Sequence, residues 1–91
     1  MYYVYVLLSL KDNKFYTGFA EDLIVRKKKH DNGLVFSTKS RRPLKLIYYE
    51  ACFSKKDAKA REKYLKSGMG KRYIRNRLKD YLNNVKISNG I

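Results

Sequence analysis

Cysteine, histidine and proline each occur once in this 91-residue chain, and acids are scarce, with 8 Asp+Glu against 22 Lys+Arg. The lone Cys52 excludes an internal disulfide framework, and one histidine, His30, cannot complete a Cys/His zinc site. Any metal would be held by carboxylate and water. Cys52 has no basic neighbour in sequence and reads as a small buried hydrophobe. No apolar run approaches the roughly 18 residues of a spanning helix, and no amphipathic helix with an exposed apolar face is present. The segment Tyr2-Tyr3-Val4-Tyr5-Val6-Leu7-Leu8 is too short, too rich in β-formers and too poor in N-terminal charge for a signal peptide. A cytoplasmic protein without a membrane partner is expected. The chain also lacks internal repeats, low-complexity stretches and a glycine-rich phosphate loop.

What is abundant is positive charge. The formal balance is +14, far beyond the needs of solubility, and it implies a polyanionic partner. The aromatic content turns that implication towards nucleic acid. At this length one domain is expected, spanning 1–83, with 84–91 as a frayed tail.

Tyr2 to Leu8 is aromatic or aliphatic on both faces, which predicts a central strand covered on both sides. Asp12-Asn13 has turn chemistry, so Lys14 to Phe19 is expected to return as its antiparallel partner. From Glu21 the period changes. A helix is predicted from about Asp22 to Asn32, with acids at its positive end and Gly33 as a left-handed stop. Leu34 to Arg42 reads as a basic loop ahead of Pro43, and Leu44 to Cys52 as a third strand. Ser54 and Asp57 open a second helix that Gly68 should close. A third follows Gly70, with Tyr73, Ile74, Arg77, Leu78, Tyr81 and Leu82 along one face. The order β-β-α-β-α-α predicts an α+β fold, a small three-stranded antiparallel sheet flanked by helices.

Tyr5 and Tyr16 fall on the paired strands, and Arg26 and His30, at i and i+4, share one face of the first helix. The four could converge on one phosphate. Each also has an ordinary reading: tyrosines on strands mostly pack, Arg26 stands in a run of lysines, and His30 could serve a helix C-terminus. Glu62 lies beside the expected Ala58/Leu65 inward stripe, yet could simply pair with Lys66 four residues on.

The ordered set decides between these readings. Tyr3-Val4-Tyr5 and Tyr16-Thr17-Gly18 are followed by Gly18, Asp22, Leu23, Arg26, His30 and Gly33 in the pattern Gly-x-x-x-Asp-Leu-x-x-Arg-x-x-x-His-x-x-Gly. Thr38-Lys39-Ser40-Arg41-Arg42-Pro43 and Ala58-x-x-Arg61-Glu62-x-x-Leu65-Lys66 come next. Over nearly its whole length the chain resembles the GIY-YIG nucleases, in particular the small stand-alone branch related to the N-terminal nuclease domain of the excision-repair excinuclease. The resemblance implies a DNA phosphodiesterase with one divalent metal, Mg²⁺ or Mn²⁺. Tyr5 would be the base that activates water, its phenol made more acidic by a nearby cation. Tyr16 would position water or phosphate, and Arg26 would offer its fork to phosphate oxygens. His30 would bond the phosphate or relay a proton, and Glu62 would be the sole carboxylate on the metal.

The chain departs from the pattern at Tyr3, Val4 and Thr17, and at Phe19, where the excision-repair relatives carry a lysine. That leaves open which cation acts on Tyr5. Asn76 is a loose candidate for the asparagine that some family members use near the metal. Lys27, Lys39, Arg41, Arg42 and Lys66 are the candidate nucleic-acid contacts. Recognition is expected to follow the DNA backbone or a distorted structure, with RNA left as an alternative, no small-molecule cofactor and a monomeric state. The competing readings are a non-catalytic nucleic-acid-binding module on the same fold and a basic protein-interaction domain.

Overall fold

The central strand takes its place because both of its faces are apolar. Tyr2–Ser9 forms β1, flanked by Phe15–Ala20 (β2) and Leu44–Cys52 (β3) in the order β2-β1-β3, all antiparallel. The computed structural model describes residues 1–88, with side chains through residue 85. The helices are Leu23–Asp31 (α1), Lys55–Lys66 (α2), Gly68–Arg77 (α3) and Lys79–Ser88 (α4), and a short 3-10 turn covers Lys39–Arg41. None of the described helices is long and apolar enough to cross a membrane.

Side chains alternate across β1, so it feeds two cores. Val4 and Val6 meet Ala58 and Leu65 of α2 and Ile74 of α3. Tyr5 and Leu7 point the other way, to Ala20 and Leu44, with Tyr16, Leu23 and Leu46 at the margin. Each fully buried aliphatic side chain contributes about 1.5–3 kcal/mol, which ties helices to both faces of so small a sheet.

The turns obey local chemistry. Asn13 adopts φ 60 in the β1–β2 turn and Gly33 φ 73 after α1, where a left-handed residue ends the helix. Asp22 caps α1 by accepting from the Val25 amide at 3.0 Å, and Ser54 caps α2 by accepting from the Asp57 amide at 3.3 Å.

The region after Lys66 differs from expectation in two ways. Gly68 does not close α2. Ser67 ends α2 and caps α3 at once, donating to the Tyr64 carbonyl at 2.6 Å and accepting from the Gly70 amide at 3.1 Å, so Gly68 opens α3. The single final helix is divided at Leu78, where φ −111 and ψ 23 leave helical geometry and start α4. α4 then continues through Ser88, past the expected boundary at 83, and residues 89–91 lie outside those described.

Candidate active site

The β1–β2 register determines which side chains can meet. Tyr5 lies opposite Gly18 and Tyr16 opposite Leu7, so the two phenols are diagonal neighbours on one face, with ring centroids 6.4 Å apart. Gly18 is what lets Tyr5 lean across β2, because a Cβ at that position would clash with the phenol oxygen and sit 2.5 Å from its Cζ. The tyrosine thus reaches over the edge strand of the sheet, towards α1.

From α1, Arg26 and His30 point back at it. Arg26 donates from Nε to the Tyr5 hydroxyl at 3.3 Å, and His30 Nε2 lies 2.7 Å from the same oxygen. The Tyr16 ring stands edge-on to His30, with centroids 5.1 Å apart. Nδ1 of His30 lies 2.7 Å from Oγ1 of Thr38, whose hydroxyl faces the Val35 carbonyl at 3.5 Å. His30 and Thr38 are both wholly enclosed.

One placement of the hydrogens satisfies all of these contacts at once. Burial, reinforced by Arg26 and Lys27, pulls His30 down to about 4, so the imidazole is neutral and carries one proton. Thr38 gives its hydrogen to Val35 and therefore accepts from Nδ1–H. Nε2 is left as an acceptor, and Tyr5 donates to it while accepting from Arg26. A single directed chain results: Arg26 to Tyr5 to His30 to Thr38 to the Val35 carbonyl.

The phenol itself is held above its ordinary value, first because it is buried, with the Tyr16 and Glu62 charges adding to the rise and Arg26 opposing it. An acidified Tyr5 is therefore not what the protein alone provides. Arg26 is the cation that acts on it. The place after Gly18 held by lysine in the resembling nucleases is taken by the Phe19 ring, with the Lys59 ammonium 4.2 Å above its centroid.

Glu62 is set apart from the other four. It rides on α2, which packs on β1 and β2 over the sheet face opposite Tyr5, and no hydrogen bond joins it to the tyrosines, Arg26 or His30. Its charge adds the least of the three influences that raise the Tyr5 phenol, behind burial and Tyr16. Lys66 at 3.0 Å and Lys59 at 3.8 Å are its partners, both on long, exposed side chains, while its own side chain is only 15% exposed. Among the described residues no group of three or more His, Cys, Asp or Glu side chains could enclose a metal ion. Asn76 falls elsewhere, in a groove lined by α2, α3 and α4 residues.

The basic loop is less free than its composition suggests. Arg41 binds Asp12 at 2.9 Å and holds that carboxylate at about 2, while Arg42 donates to the Lys39 and Asp31 carbonyls at 3.1 and 3.2 Å. Ser9, buried at the end of β1, donates to the Arg41 carbonyl at 2.7 Å. Lys27 is paired with Asp31 at 2.7 Å and Lys66 with Glu62. Of the five cations expected to meet nucleic acid, only the Lys39 side chain makes no such bond among the described residues. The loop brings Thr38 to His30, and that contact could not be read from periodicity, since Thr38 lies inside the aperiodic polar stretch from Ser37 to Arg42.

Comparison with known proteins agrees with this architecture. Residues 1–73 match the GIY-YIG catalytic domain. UPF0213 protein CPE1444 of Clostridium perfringens is 43% identical over 67 residues, 72% of this chain and 71% of that protein. UPF0213 protein SSP2268 of Staphylococcus saprophyticus is 40% identical over 67 residues, covering 72% and 80%, and UPF0213 protein YazA of Bacillus subtilis is 38% identical over 63, covering 68% and 64%. No solved structure matches at a significant level. With its three-stranded antiparallel sheet, its paired tyrosine strands and a match that spans most of its length, the chain belongs to the GIY-YIG family.

Proposed function

We propose that this protein is a metal-dependent endonuclease that hydrolyses DNA phosphodiester bonds, with Tyr5 as the proton acceptor for the attacking water. The observation that carries the proposal is the Tyr5 hydroxyl held between a guanidinium and a neutral, enclosed imidazole. As water attacks phosphorus and the bond to the leaving oxygen breaks, the water's proton passes to the Tyr5 oxygen and the Tyr5 proton to Nε2 of His30; burial disfavours the imidazolium, which returns its proton through Tyr5 to the leaving oxygen or to solvent. The phenol need not ionise beforehand, which suits a group whose burial opposes ionisation. His30, closed off from solvent with both nitrogens bonded, serves as the relay and not as a phosphate ligand. Arg26 faces both phenols and offers its remaining donors to phosphate oxygens as charge develops there. Tyr16, half-buried against His30, positions the phosphate or the water.

A single hard carboxylate partnered only by displaceable lysines fits a divalent ion whose remaining positions are filled by water and phosphate oxygens, and it does not fit an all-protein cage. Glu62 would hold that ion, Mg²⁺ or Mn²⁺, which would supply charge stabilisation to the phosphate and leaving oxygen. The net charge of +14 supports DNA as the substrate, bound through its backbone.

The test is cleavage of nicked, flapped and duplex DNA with Mg²⁺ or Mn²⁺, comparing the natural protein with Glu62→Ala. The substitution removes two helical ion pairs to exposed lysines, each worth roughly 0.3–0.5 kcal/mol, and leaves the Ala58, Leu65 and Ile74 core intact, so the fold persists. Cleavage by the natural protein that Glu62→Ala abolishes is the expected result. Equal cutting by both, or none by either, refutes the assignment, and the second outcome leaves a nucleic-acid-binding module on a nuclease fold.

A further inference from the structure

Beyond the basic loop, whose arginines bind its own carbonyls and carboxylates, a second group of cations lies on α3 and α4, where the Arg75 guanidinium stands 5.4 Å from the Phe15 ring centroid. From Gly68 onward the chain carries Lys71, Arg72, Arg75, Arg77, Lys79 and Lys86 against Asp80 alone. Three of them, Arg72, Arg75 and Lys79, border a groove of about 600 Å³ between α2, α3 and α4, within the range of roughly 300–1,000 Å³ usual for ligand clefts. Tyr64, Met69 and Tyr73 supply its apolar surface, and no acid lines it. None of the three cations has an ion pair among the described residues. The aromatic and thioether groups are exposed: Tyr64 by 37%, Tyr73 by 36% and Met69 by 69%.

The wall of this groove is held from behind. The Glu50 carboxylate accepts from Arg61 Nε at 3.0 Å, from Arg61 Nη2 at 2.8 Å and from the Tyr48 hydroxyl at 2.8 Å. The guanidinium so anchored lies 5.2 Å from the Tyr64 ring centroid and 4.9 Å from that of Tyr73. Two phenol rings are thereby set in place with little side-chain entropy left to lose on binding. The match to the catalytic domain ends at Tyr73, so Arg75, Asn76 and Lys79 lie beyond it.

We propose that this groove is a second nucleic-acid site that takes an unpaired, single-stranded segment, with a base against Tyr64, Tyr73 and Met69 and the flanking phosphates on Arg72, Arg75 and Lys79. An exposed ring offers stacking only to a base free of its partner strand, and clustered cations without acids complement a phosphate chain. The site does not depend on hydrolysis, so its test is run without divalent metal.

Tryptophan is absent from the chain, so Met69→Trp places one fluorophore in the groove. Oligothymidylate should quench its emission saturably, over the same concentration range in which anisotropy shows the oligonucleotide binding to that variant. The double substitution Arg72→Ala, Lys79→Ala should weaken binding about tenfold or more. It should also flatten the dependence of log affinity on log salt by about 1.4, twice the ~0.7 expected per single-strand phosphate. Lys28→Ala, Lys29→Ala, which removes the same charge from α1 on the other face of the sheet, is the control and should cost less than about threefold. The proposal is overturned by an unquenched tryptophan, by equal losses in the two double variants, or by polyglutamate displacing the oligonucleotide at equal charge, which would mark an acidic-protein surface instead. Loss of cleavage in Glu62→Ala with quenching intact separates this site from the catalytic one.

Discussion

Replacing Thr38 by valine tests the proton chain at its least conspicuous link. The substitution conserves shape and exchanges one hydroxyl for a methyl, so Nδ1–H of His30 loses its acceptor inside a site closed to water. Two responses are open to the ring. It can keep its hydrogen on Nδ1 and bear an unmet donor, at about 1–3 kcal/mol. Alternatively the hydrogen moves to Nε2, which then donates to Tyr5, so that the phenol can no longer pass its proton to His30. Both lower stability, by roughly 4–8 °C in melting temperature per kcal/mol for a domain of this size, and the second also stops the relay. His30 is the only histidine, so its ring nitrogens can be read directly by ¹⁵N-resolved spectroscopy without assignment. Thr38→Ser, which keeps the oxygen, should restore the Nδ1–H form and most of the cleavage rate. The reasoning fails if Thr38→Val melts within about 2 °C of the natural protein while its ring keeps the hydrogen on Nδ1.

Three more outcomes follow from the same site. Gly18→Ala should dislodge Tyr5 from Arg26 and His30, costing about 1–3 kcal/mol in denaturant unfolding and abolishing cleavage; unchanged stability would mean that Tyr5 does not need the space. His30 should stay neutral down to about pH 4, and an inflection near its ordinary 6.5 in a ring-proton titration would contradict the enclosure. Because the unfolded chain takes up that proton first, stability held in full above about pH 6.5 should fall by about 3 kcal/mol as pH drops towards 4. Arg26→Lys exchanges a planar fork for a point charge and should lower kcat about 10²–10³-fold with little change in DNA affinity, so a kcat within about threefold of the natural value would remove Arg26 from the reaction.

Local chemistry makes much of this molecule legible from its residues alone. The three strands, the caps at Asp22 and Ser54 and the left-handed stops at Asn13 and Gly33 depend on residues near in sequence, and each is readable for that reason. Ser67 shows where local reading ends. The sequence points to a helix stop at the following glycine, but the serine hydroxyl serves two helices, which requires knowing how α2 and α3 meet.

The candidate site divides along the same line. Strand alternation and helical spacing are enough to gather Tyr5, Tyr16, Arg26 and His30 on one side of the sheet, since periods of two and 3.6 are properties of the chain itself. Only the tertiary structure could turn Thr38 under His30 and direct the hydrogen between them, or set Arg26 as the cation on Tyr5. It also gave Glu62 to Lys59 and Lys66 and tied the loop arginines to Asp12, Asp31 and Lys39, while Arg72 and Lys79 of α3 and α4 have no ion pair among the described residues. Side-chain partners far apart in sequence are chosen by packing, and packing has no period to read.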